Sequence, residues 1–113
     1  MPDTIDVQTL ADEFDFTPEE VTKIVAMFFK SAKKGLDALS NAIALSDYEA
    51  LYKAAHSIKG SAGTLHLTEL YTYALEVEKA GRNNTPYDYD AAYGKLADMI
   101  KAIEIDYRGK EGD

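Results

Sequence analysis

His56 is one of two histidines in a chain of 113 residues that has no cysteine, and the residues spaced around it select a chemistry. The segment Lys53-Ala54-Ala55-His56-Ser57-Ile58-Lys59-Gly60-Ser61-Ala62-Gly63-Thr64-Leu65 has apolar residues at helical spacing yet holds two glycines. Each glycine costs about 1 kcal/mol against alanine inside a helix. Two such costs in one helix are a local inconsistency, and such places are where function is expected. With His56 at zero and about 100° per residue, Lys59 falls near about −60°, Gly60 near about +40° and Gly63 near about −20°. These four share one face. Leu51, Ala54, Ile58, Ala62 and Leu65 fall between roughly 160° and −120°, on the opposite side. The apolar side must face a core, which turns His56 to solvent with a lysine one turn away.

An exposed imidazole is a nucleophile whose ordinary pKa of about 6.5 leaves it largely neutral at pH 7. An ammonium at i+3 can offset the charge of a phosphoryl group on that ring. Missing side chains at i+4 and i+7 let another protein's backbone come close. Together these suit a histidine that accepts and passes on a phosphoryl group within a protein–protein complex. Two plainer readings stand beside this one. A surface histidine on a helix often has no role, and the glycines would also fit a helix ending at Lys59 with Gly60 in a left-handed cap. Gly-Ser-Ala-Gly lacks the spacing and the preceding strand of a phosphate-cradling loop.

The elements that must position His56 are helices. Thr17-Pro18 and Thr85-Pro86 are N-cap-then-proline helix starts. Thr17 with Glu20, and Ser46 with Glu49, have capping-box spacing. Four apolar stripes recur at three and four: Val21 to Ile43, Leu51 to Leu65, Leu67 to Val77, and Tyr89 to Tyr107. The third is expected to stop at Gly81. Ile5, Leu10 and Phe14 suggest a short covering helix. The spacing predicts one domain over 1–113, with a covering helix at about 4–14 and bundle helices at about 18–45, 47–64, 67–81 and 86–108. The fold class is all-α, an antiparallel up-down-up-down four-helix bundle with a short additional N-terminal helix. Residues 109–113 read as a frayed tail. Met27 and Phe29 lie off the main stripe, and either the short helix covers them or they add an apolar contact for a partner.

Composition narrows the partners. Hydrophobic residues make up 46% and charged residues 28%, ordinary for a globular domain. Twelve basic against twenty acidic residues give 12 − 20 = −8, which argues against nucleic-acid or membrane-surface binding. The absence of cysteine excludes disulfides, thiol catalysis and cysteine-based metal sites. The longest apolar run, Ile24 to Phe29, falls far short of the ~20 residues of a membrane span. The first residues have neither the basic start nor the apolar stretch of a signal peptide, and a cytoplasmic location is expected. Asp88/Asp90 and Asp98/Glu104 lack the histidines or pairing of a metal or acid–base site and read as solvated surface. Six of the eight tyrosines follow residue 70 and fit half-buried bundle positions with a wet hydroxyl.

His56-Ser57-Ile58-Lys59-Gly60-Ser61-Ala62-Gly63-Thr64-Leu65 resembles the signature of histidine-containing phosphotransfer (HPt) domains, close to the form in the phosphorylated domain of chemotaxis histidine kinases. The specific resemblance covers roughly Lys53 to Arg82. It implies a four-helix bundle with His56 as an exposed phosphoacceptor in a two-component multistep phosphorelay, and a chain without autonomous kinase activity. It implies a response-regulator receiver domain, or a hybrid histidine kinase, as partner to a monomeric phosphocarrier. Mg²⁺ is expected from the receiver, with no cofactor bound by this chain. Lys59 takes the charge-neutralising role, and Gly60 and Gly63 clear the docking surface. Members often carry Gln or Glu twenty-two residues after the histidine, bonded to the imidazole; here that residue is Glu78. Many have glycine ten residues after the acceptor, where this chain has His66, which reads as a turn residue. The rival reading is a helical adaptor that binds a signalling partner through the same surface and is never phosphorylated.

Overall fold

Five helices account for most of the chain in the computed structural model, which describes residues 3–111: α1 (Val7–Phe14), α2 (Pro18–Ala44), α3 (Tyr48–Thr64), α4 (Thr68–Arg82) and α5 (Tyr89–Glu111). Residues 1, 2, 112 and 113, the ends of the predicted domain and of its predicted tail, lie outside the described residues. Among the described residues there is no strand. Short connections join helices that pack on one another. Each of α2 to α4 packs on the next, α5 closes the ring against α2, and α1 lies on α2. Among the described residues no helix is long and apolar enough to cross a membrane.

The predicted stripes form the core. Val21, Val25, Ala32, Leu39, Leu51, Ile58, Leu70, Val77 and Leu96 are buried at its centre. Glycine sets how near α3 lies to its neighbours. A Cβ on Gly35 would stand 2.7 Å from Ile58 Cγ1, and one on Gly81 would stand 2.6 Å from Leu51 Cδ2. Gly81 is therefore an interior residue that lets α4 approach α3, and the helix runs one residue past the predicted stop.

Helix starts partly follow the sequence expectation. The Thr17 hydroxyl accepts from Glu20 N at 3.2 Å, and Glu20 Oε1 accepts from Thr17 N at 2.9 Å, the predicted capping box. At α3 the cap is Asp47, which accepts from Ala50 N at 3.1 Å, in place of Ser46. The fifth helix starts three residues after Pro86, where the Asp88 carboxylate accepts from Ala91 N. Residues 109–111, predicted as frayed, continue that helix. For α4 the cap comes from far away in sequence: Asp3 accepts from Glu69 N at 3.1 Å and from Leu70 N at 2.8 Å.

The described non-glycine residues with positive φ are Asp15, Ser46, His66 and Asn84. Each follows the C-terminal end of one of the first four helices. At the end of α3, Leu67 N donates to Ala62 O and His66 N to Gly63 O, the paired bonds of a Schellman motif with His66 in the left-handed position. The turn keeps the shape glycine would favour.

Two further expectations change. Phe29 is buried, with its ring 5.9 Å from that of Tyr107 on α5, while Met27 stays 69% exposed. Glu104 is not solvated surface: it accepts from Lys33 on α2 at 3.1 Å and from Arg108 Nη2 at 2.9 Å, tying α5 to α2. The Arg108 bonds first, then Lys33, hold its carboxyl below the ordinary range.

Candidate functional site

Because α3 turns its Leu51–Ala62 stripe into the core, His56 projects outward with its side chain 62% exposed. The helix runs unbroken through Gly60 and Gly63, and among the described residues no glycine has a positive φ. That removes the reading in which the helix ends at Lys59. A Cβ on Gly60 would meet nothing within 4 Å, and one on Gly63 would reach the Tyr71 ring at 3.4 Å. The surface beside His56 is low on that side, and an apolar groove lined by Ile24, Met27, Phe28, Ser31, Ser61 and Thr64 runs along it between α2 and α3.

On the other side of His56 stands Glu78 of α4. The core stripe residue Val77 directs α4 inward, and Glu78, one position on, lies between the two helices with its side chain only 5% exposed. Its Oε2 accepts from His56 Nδ1 at 3.0 Å and from Arg82 Nη2 at 2.9 Å. Its Oε1 is paired with Lys59 Nζ at 2.7 Å. Burial alone would raise the Glu78 pKa, but the bonds from Lys59, Arg82 and His56 outweigh it and bring it down from 4.5 to about 2. The carboxylate is charged at neutral pH and can only accept. In the neutral ring, Nδ1 therefore carries the hydrogen and Nε2 the lone pair.

The structure brings together His56, Lys59 and Glu78, three of the residues singled out in the sequence, with Gly60 and Gly63 on the adjoining helix face. Lys59 is held against Glu78 with its side chain 16% exposed, not standing free in solvent. His66 lies elsewhere, at the α3–α4 turn, with Nε2 3.4 Å from Glu13 Oε1 of α1. Sequence reasoning missed Arg82, whose guanidinium also lies 4.5 Å from the Tyr52 ring centroid. The signal was present as the i, i+4 spacing of Glu78 and Arg82 on one helix. Among the described residues no group of three or more His, Asp or Glu side chains is placed to hold a metal ion.

Fold and site together define a class of protein: a small helical bundle that presents one imidazole, braced from behind by a buried carboxylate, on an open helix face. The family model described as Hpt domain matches residues 23–105, and the chain belongs to the Hpt domain family. Hpt domains are phosphocarriers, not kinases, and the chain has a histidine phosphotransfer role in a phosphorelay. Members of the family interact with phosphorelay kinases and response regulators. In fold the chain is similar to the crystal structure of histidine-containing phosphotransfer protein B (HptB) from Pseudomonas aeruginosa PAO1. The TM-score is 0.79 at 23% identity, over 89% of this chain and 88% of that one. No curated protein sequence matches the chain.

Proposed function

We propose that His56 accepts a phosphoryl group on Nε2 and exchanges it with the aspartate of a response-regulator receiver domain. The observation that carries this reading is the 3.0 Å contact of Nδ1 with Glu78 on a largely exposed ring. It aims the unprotonated nitrogen away from the protein, toward a partner. In the accepting step the Nε2 lone pair forms the N–P bond while the P–O bond of the aspartyl phosphate breaks, and the aspartate carboxylate leaves with the electron pair. No proton moves. The ring keeps its Nδ1 hydrogen, and the positive charge it gains lies beside the Glu78 carboxylate. In the return step the ring departs as neutral imidazole, a good leaving group. Positioning and charge stabilisation suffice for such transfer, with Mg²⁺ supplied by the receiver.

Lys59 adds positive charge beside the ring, which favours a dianionic phosphoryl group in a protein of net charge −8. Gly60 and Gly63 leave the receiver room to approach His56, and the groove beside them offers it apolar contact. In this reading the chain acts as a monomer in the cytoplasm.

The test is incubation with a phosphorylated receiver domain and Mg²⁺. Wild type gains acid-labile, base-stable phosphate, and phosphorus–proton NMR correlations place it on Nε2 of His56. His56→Gln gains none while keeping its circular dichroism and melting temperature, since an exposed side chain carries little stability. A wild-type chain that binds the receiver but never takes up phosphate is the adaptor instead, and label on His66 would overturn the assignment.

A further inference from the structure

A carboxylate that orients an imidazole also endangers it as a nucleophile. A lone buried Glu beside the ring favours imidazolium, which has no free lone pair. Glu78 is not alone. Lys59 Nζ sits 2.7 Å from Oε1, and Arg82 Nη2 sits 2.9 Å from Oε2, the same oxygen that holds His56. Both cations are pinned: Lys59 is mostly buried, and Arg82 is stacked on Tyr52 as well as bonded to Glu78. From these contacts we infer that Lys59 and Arg82 are positioning residues that act on His56 by compensating the charge of Glu78. The carboxylate then sets the tautomer without trapping the ring in its protonated form. The inference rests on the reading of His56 as the nucleophile and assigns a role to Arg82.

Among the described residues, no further ion pair reaches Glu78 or His56. On α3 itself, Lys53 is paired with Glu49. The α2 side of α3 presents a hydroxyl contact, Ser31 to Ser61 at 3.0 Å, and Lys33 of α2 is committed to Glu104. From α4, besides Glu78 and Arg82, the phenol of Tyr71 stands by Lys59, with 6.0 Å between its ring centroid and the ammonium. The cluster is thus one carboxylate, two cations bonded to it and one imidazole.

The experiment follows the His56 ring signals by proton–nitrogen NMR from pH 5 to 9 in the full chain, comparing wild type with Arg82→Gln and Arg82→Lys. Removing a fixed cation a few ångströms away moves the midpoint of Arg82→Gln upward by roughly half a pH unit or more. Arg82→Lys keeps the charge at the same i+4 position and returns the midpoint toward wild type. Transfer from a phosphorylated receiver slows about threefold in Arg82→Gln at pH 6, and the deficit shrinks as pH rises. An unmoved midpoint overturns the inference. So does a rate loss equal at every pH, which would make Arg82 a direct contact to the phosphoryl group or to the receiver. A chain that never takes up phosphate but shows the shifted midpoint would sink the phosphocarrier reading and leave the charge compensation standing.

Discussion

The His56 Nδ1–Glu78 Oε2 contact, 3.0 Å long, links the most exposed side chain of the site to its most buried one. One partner meets solvent and any docking protein. The other is fixed between α3 and α4, where it holds the ring by a single nitrogen. The orientation of Nε2 is thus set from within the chain, by a buried anchor.

Glu78 makes stability depend on acid. Its folded pKa, about 2, lies below its ordinary 4.5, so the unfolded chain binds the proton more tightly. The contribution is fully present above pH 4.5 and is lost as pH falls toward 2. Wild type should exceed Glu78→Gln in stability at pH 7 by on the order of 2–3 kcal/mol. Urea melts of the two across pH 2–7 should show that gap closing at the acid end. A constant gap would mean that Glu78 is not held charged by its partners.

Two glycines in neighbouring helices should respond in opposite directions to alanine. At Gly60 a Cβ meets nothing within 4 Å and φ is helical, so Gly60→Ala stabilises by up to about 1 kcal/mol. At Gly81 the Cβ would stand 2.6 Å from Leu51 Cδ2 and 3.4 Å from Tyr52 N, so Gly81→Ala destabilises by about 1–3 kcal/mol. Thermal melts measure both. Gly60→Leu should keep the fold while slowing phosphotransfer, and undiminished transfer would remove the cleared face from the docking argument.

His66 holds φ at 57°, a conformation that costs a side chain with a Cβ roughly 1 kcal/mol or more. His66→Gly should relieve that cost and raise the melting temperature, offset by loss of the half-exposed contact with Glu13 and of the ring contact with Phe14, 5.7 Å between centroids. Phosphotransfer should be unchanged. A fall in transfer would show that His66 does more than close the turn.

Asp3 caps α4 through Glu69 N and Leu70 N, which the helix's own N-cap Leu67 leaves without a side-chain bond. Asp3→Ala should cost about 1 kcal/mol, at most about 2. Hydrogen exchange should quicken at the Glu69 and Leu70 amides before it does at Glu78. Equal protection in both variants would show that water replaces the cap without cost.

The chain order of residues was enough to reveal the helices, the buried stripes and the outward face of His56, because all three depend on periodicity within one segment. The i+22 relation placed Glu78 only by likeness to a family. Its burial and its three partners depend on how closely α4 lies against α3, a distance set by Gly81 against Leu51 and Tyr52. The same limit explains the misplaced ends. Gly81 looks like a helix stop when read locally, yet it is a packing residue, and the left-handed positions go to Asp15, Ser46, His66 and Asn84. Asp47 and Asp88 took the caps that Ser46 and Thr85 were expected to supply, since local donors compete within a residue or two and packing decides among them. What one helix buries is written along its own sequence. Which oxygen of Glu78 meets which cation is decided between helices, where distance is set by side chains far apart in the chain.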